Sequence, residues 1–168
     1  IDVASGGTLT LTNSDWPFFG NIAGNVVISS GITLTQDQTL SSSTGHYVLT
    51  GGDLNVGSYT LTNKGRLRCN GYLITGAGTF MLDSAGTLVI NSPVGISASG
   101  STGDIQTVTR IFSRYGNYTY AGLANQVTGN RIPDTVNNFS LAMANRNLTT
   151  TLSKNVAVAG TLSMSPGK

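Results

Sequence analysis

A short phrase, a glycine followed by alternating polar and apolar residues, returns along this 168-residue chain and limits its possible folds more than any other feature. It reads Gly-x-(Leu/Phe)-x-(apolar) at Gly7-Thr-Leu-Thr-Leu11, Gly52-Asp-Leu-Asn-Val56, Gly65-Arg-Leu-Arg-Cys69, Gly78-Thr-Phe-Met-Leu82, Gly86-Thr-Leu-Val-Ile90 and Gly160-Thr-Leu-Ser-Met164. Glycine tolerates the φ > 0 conformations that a tight corner demands, and alternation points the two apolar side chains to one face of a short strand. Copies at Gly52, Gly65, Gly78 and Gly86 are separated by 13, 13 and 8 residues, and Gly31 to Gly52 and Gly65 to Gly86 are both steps of 21. A repeat of that length, built from two or three short strands, matches one turn of a parallel β-helix, whose coils stack so that inward residues form continuous apolar columns.

The expected fold is therefore all-β: a right-handed parallel β-helix, or β-solenoid, with coils of roughly 21 residues. An antiparallel sandwich or barrel is the alternative, but it would show more two-residue hairpin signals than the single Asn70-Gly71. Composition agrees with an all-β chain. Charged residues make up only 10% against roughly 25% in an average soluble domain, and no Glu occurs. Thr and Val suit a pleated surface, while Gly, Asn and Asp suit turns. The leucines of the phrase, Leu54, Leu67 and Leu88, are expected to share one interior.

Residues 1–100 read as regular coils, 101–120 as an irregular insertion and 121–168 as further coils of one segment. Ile1 opens without an initiator Met or a signal peptide, which reads as a mature piece of a longer chain. No stretch reaches the roughly 18 apolar residues of a membrane helix, so membrane insertion is not expected.

The nine cations form no dense run, and Lys64, Arg66 and Arg68 alternate as one solvated strand face rather than as a nucleic-acid contact. Cys69 shares the phase of Leu67 and reads as a small buried hydrophobe; being single, it forms no internal disulfide. His46, the only histidine, lies in a polar corner and reads as solvent-facing. No metal-ligand cluster or phosphate-binding glycine loop appears, so no cofactor is expected.

Two stretches break the pattern. Asp15-Trp-Pro-Phe-Phe-Gly-Asn21 clusters aromatic rings, read first as a plug over an open coil end. Arg110, Arg114, Tyr115, Tyr118 and Tyr120 combine rings with guanidinium groups and form the candidate glycan site. Parallel β-helices also carry polysaccharide-active enzymes, and Asp83 and Asp104, 21 residues apart, would stack in adjacent coils as an acid and base pair. Both Asp residues lie in turn-like contexts, so a non-catalytic reading is preferred.

From Tyr118 to Leu141, through Tyr-Thr-Tyr, Gln-Val-Thr-Gly and Ile-Pro-Asp-Thr-Val-Asn-Asn, and then from Leu148 to Met164, the chain resembles long repetitive cell-surface proteins of Bacteroidetes. The resemblance covers roughly the last 50 residues; Arg131 and Ala142-Met-Ala144 depart from it. It implies export of the type IX secretion kind, an extracellular or cell-surface location, and a structural or adhesive role in adhesion, gliding, biofilm or filaments. Partners would be neighbouring repeats or further copies of the chain, and surface glycans. Asp83-Ser84-Ala85 and Asp134-Thr135-Val136 also resemble the O-glycosylation tripeptide of that group, which would place sugar on Ser84 and Thr135.

Overall fold

A computed structural model of the chain describes residues 7–11, 24–40 and 46–165. The Asp15–Asn21 aromatic cluster lies outside the described residues. The described residues form a parallel β-solenoid of about 7 turns, without a helix among them.

The first wall stacks eight strands in the order β1 (Thr8–Leu11), β2 (Asn25–Ile28), β5 (His46–Leu49), β8 (Arg66–Arg68), β11 (Thr87–Ile90), β13 (Asn117–Tyr120), β16 (Asn138–Leu141) and β19 (Leu162–Met164). A second wall holds β4 (Gln38–Leu40), β7 (Thr60–Asn63), β10 (Thr79–Leu82) and β12 (Thr109–Phe112). A third holds β3 (Ile32–Thr33), β6 (Leu54–Asn55) and β9 (Ile74–Thr75), extended by a bridge from Ile74 to Ile105. Above these lie two separate pairs, β14 (Gln126–Val127) with β17 (Thr150–Thr151) and β15 (Thr135–Val136) with β18 (Ala157–Val158).

Every pairing is parallel and in register, so the alternation of the phrase becomes a set of columns. Val26, Tyr47, Leu67, Leu88, Tyr118 and Phe139 stack on successive rungs of the first wall. Leu54, Leu67 and Leu88 are wholly buried in one core cluster, together with Cys69. The apolar positions therefore meet from different walls, which is what closes a solenoid interior.

The 13- and 8-residue spacings turn out to be sides of a coil. The glycines at 52, 65, 78 and 86 open β6, β8, β10 and β11, which lie on the third, first, second and first walls. Gly65 to Gly86 is a full turn, as the pairing of Arg66 with Thr87 shows, and so is Gly31 to Gly52, where Ile32 pairs with Leu54. Corners are crowded: a Cβ on Gly78 would lie 2.0 Å from the Tyr59 carbonyl oxygen of the coil below. Asn70-Gly71 is a tight turn, with φ of 58° and 92° and the Tyr72 amide donating to the Cys69 carbonyl at 3.0 Å. It bends the chain from the first wall to the third instead of closing a hairpin.

One coil is longer than the rest. Thr87 pairs with Asn117 and Thr79 with Thr109, steps of 30 residues. The excess lies between β11 and Ile105, so the irregular stretch is 91–104, earlier than the expected 101–120, while β12 and β13 are ordinary rungs. Gly95 and Gly103, both at positive φ, let this segment double back on itself, and the Ser97 hydroxyl donates to the Thr102 carbonyl at 2.7 Å. Its outgoing leg bonds the coil above, through Val127 to Pro93 and Ile96 to Thr128. Its returning leg bonds the coil below, through Ile74 to Asp104. The insertion thus splices the lower third wall to β14 and β17.

Candidate functional site

The expected glycan site does not assemble as one surface. Arg110 takes an inward position on β12, in the column of Leu61 and Phe80, and is only 6% exposed. Its guanidinium donates to the carbonyls of Thr107 at 2.8 Å, Ser97 at 3.3 Å and Gly100 at 2.5 Å, and to the Ser97 hydroxyl. Burial away from water pulls its pKa down. Arg110 is therefore a clamp that satisfies the carbonyls of the inserted segment.

Tyr118 and Tyr120 are also interior, on β13. The Tyr118 hydroxyl donates to the Ser113 carbonyl at 2.7 Å, and that of Tyr120 to the Thr128 carbonyl at 2.6 Å. Burial pushes both phenols well above their ordinary value. A ring enclosed in the core offers no face to a sugar. Sequence alone held the signal, because Gly116-Asn-Tyr-Thr-Tyr120 is the recurring phrase with Tyr in the leucine places. Only Arg114 and Tyr115 stand outside; the Arg114 guanidinium lies 4.6 Å from the Tyr115 ring centre and donates to its hydroxyl.

Asp83 and Asp104 sit at different corners. The Asp83 amide bonds Asn63 of the coil below, and its carboxylate accepts from the Ser84 hydroxyl at 2.9 Å and lies 3.7 Å from Lys64. The Ser84 hydroxyl, helped by backbone amides and Lys64, holds this carboxyl below its usual range. Asp104 is buried and accepts from the amides of Asn91 at 2.7 Å and Ser92 at 3.1 Å. Burial raises its pKa against the pull of those amides. The 21-residue count fails as an adjacency here because the insertion falls between them: Leu82 aligns with Phe112, one coil and 30 residues on.

Lys64 is the corner partner of Asp83, whereas Arg66 and Arg68 lie half-buried on β8, so the three do not make one strand face. His46 is exposed at the start of β5. Ser84 is exposed at its corner, and Thr135 is half-buried in β15. Asn117, Asn137 and Asn138 form a polar ladder along the corner before the first wall, with Asn117 Oδ1 accepting from Asn138 at 2.7 Å and from Asn137 at 3.0 Å.

The wall break carries a concave site that sequence reasoning missed. β12 is the edge strand of its sheet, and β15 does not pair with it. Between them opens a cleft of about 360 Å³ lined by Phe112, Arg114, Arg131, Pro133, Asp134 and Lys154, among others. Lys154 pairs with Asp134 at 2.6 Å. Among the described residues Arg114 and Arg131 have no carboxylate partner. No three His, Cys, Asp or Glu side chains among the described residues gather closely enough to hold a metal, and no helix there is long and apolar enough to cross a membrane.

Comparison of the chain with known protein families, curated proteins and solved structures returns no match.

Proposed function

We propose that the chain is a non-catalytic shaft segment of a large secreted or cell-surface protein, and that it works by stacking against a further β-coil. One observation carries this reading: on the last described rung, the apolar residues that continue the interior columns are exposed. On β19, Leu162 and Met164 continue the columns of Phe139 and Leu141 yet are 53% and 68% exposed. With Leu152, Val156 and Val158 they line an apolar hollow of about 270 Å³ at the end of the coil stack. Such a face resembles a domain core cut open, and a parallel coil carrying inward apolar residues is the partner whose backbone and side chains both match it. We assign that coil to flanking repeat sequence.

The surface location, the adhesive role and the Bacteroidetes affiliation rest on the resemblance of the last 50 or so residues. The non-catalytic reading draws on the separation of Asp83 from Asp104 and on the two amides that occupy the Asp104 carboxylate.

Sedimentation of the 168-residue chain across a concentration series tests the open end. The chain is expected to associate or to bind a hydrophobic dye, and Leu162→Gln with Met164→Gln is expected to suppress both while leaving the β-signal in circular dichroism intact. A monomer at every concentration, with β19 amides as protected from exchange as those of β13, overturns the reading.

A further inference from the structure

The cleft at the break in the second wall is built of cations in an otherwise sparsely charged chain. From Ile105 onward the sequence carries six Lys and Arg and one carboxylate, whereas the first 104 residues carry three cations and six Asp. Three of those six cations, Arg114, Arg131 and Lys154, and the one carboxylate, Asp134, line the same hollow.

The fold brings them together from three turns. Arg114 follows β12, Arg131 lies between β14 and β15, and Lys154 lies between β17 and β18. Gln126 pairs with Thr150 and Thr135 with Ala157, steps of 24 and 22, so Lys154 occupies in its coil the place that Arg131 occupies one coil below. Like charges on neighbouring rungs repel each other. A single Asp134, itself 87% exposed, offsets only part of this. An anion seated in the cleft relieves the repulsion.

The other lining groups narrow the anion's chemistry. Phe112, tilted against Phe80 with ring centres 6.0 Å apart, and Pro133 supply an apolar side. Asn130 and Thr135 supply amide and hydroxyl groups. A planar guanidinium fork grips a carboxylate or sulfate through two parallel bonds. Apolar ring surface, hydroxyl partners and an oxyanion within one small volume are the features of an acidic sugar. An extended acidic peptide would engage the cations and leave the rest unused.

We propose that this cleft binds an acidic glycan through Arg114, Arg131 and Lys154, with Asp134 holding the Lys154 ammonium when no ligand is present. The site differs from the Arg110–Tyr120 surface expected from sequence, sharing only Arg114 with it, and it does not depend on the shaft reading.

Titration calorimetry with trigalacturonic acid as the probe tests it, alongside the methyl ester of that trimer, hexaglutamate and inorganic sulfate. The free acid is expected to bind, weakening as salt is raised, and the ester is expected not to. Arg114→Ala and Arg131→Ala, both exposed positions, should each weaken binding about tenfold, near the 1.4 kcal/mol of one lost charge-assisted contact. Asp134→Asn should strengthen it several-fold by freeing Lys154, a change that a merely structural Asp134 would not produce. Absence of trigalacturonate binding, binding indifferent to both arginine variants, or equal binding of hexaglutamate or sulfate overturns the proposal.

Discussion

At the scale of single residues, position in a column decides role more strongly than side-chain chemistry does. Leu67 and Arg68 are neighbours in β8, yet Leu67 is wholly buried between Tyr47 and Leu88 while Arg68 points outward. Leu67→Ala is expected to cost about 2–5 kcal/mol in chemical denaturation, because the interior cannot close fully around the missing volume. Arg68, half-buried on the outer side of the strand, leaves no cavity in the core when truncated, so Arg68→Ala should cost less than Leu67→Ala. Asp104 shows what the inserted segment requires. Its carboxyl is raised by burial, so the folded chain holds a proton more tightly than the unfolded chain does. The group therefore lowers stability at neutral pH, and that cost disappears as pH falls through its raised folded pKa toward the ordinary carboxylate value. Asp104→Asn keeps an oxygen for the Asn91 and Ser92 amides without the charge. Melts across the acid range should show the variant at least as stable as wild type at pH 7, with a flatter slope just above the ordinary carboxylate pKa.

At the scale of elements, the strands were legible and the splice was not. Each first-wall strand is four residues or fewer, and all but β16, which has Asn137 in that place, alternate in phase with a preceding glycine; the phrase also fits Gly24-Asn-Val-Val-Ile28 and Gly116-Asn-Tyr-Thr-Tyr120 once Val and Tyr are admitted beside Leu. Restricting the apolar position to Leu or Phe misplaced β13 in an insertion and turned its core tyrosines into a binding surface. Within 91–104, by contrast, no periodicity marks which leg joins which coil, because those bonds run from backbone to backbone 30 to 35 residues away. Glycine substitutions separate local strain from packing there. Gly100 and Gly129 both have positive φ, but a Cβ on Gly100 meets nothing within 4 Å, whereas one on Gly129 would lie 2.1 Å from the Ile96 carbonyl oxygen. Gly100→Ala should cost about 1 kcal/mol, the left-handed penalty alone. Gly129→Ala should cost at least twice that in urea denaturation and should speed exchange of the Ile96 and Arg131 amides.

At the scale of the whole molecule, composition and repeat length determined the class. A chain with no Glu, abundant Thr and Gly, and an apolar pair returning at coil spacing can bury its small strands only against copies of themselves. The parallel solenoid, its shared core of Leu54, Leu67 and Leu88, and the burial of Cys69 follow from that local alternation. The tertiary structure decided what depends on which coil lies above which. It turned Arg110 inward to hold a loop, and it set Asp83 and Asp104 at separate corners despite a separation of one nominal repeat. It also gathered Arg114, Arg131 and Lys154 around one cleft from turns far apart in the chain. The physical reason is that alternation tells only which way a side chain points from its own strand. Its neighbours across coils are set by register, and one insertion between β11 and Ile105 shifts the register of everything that follows.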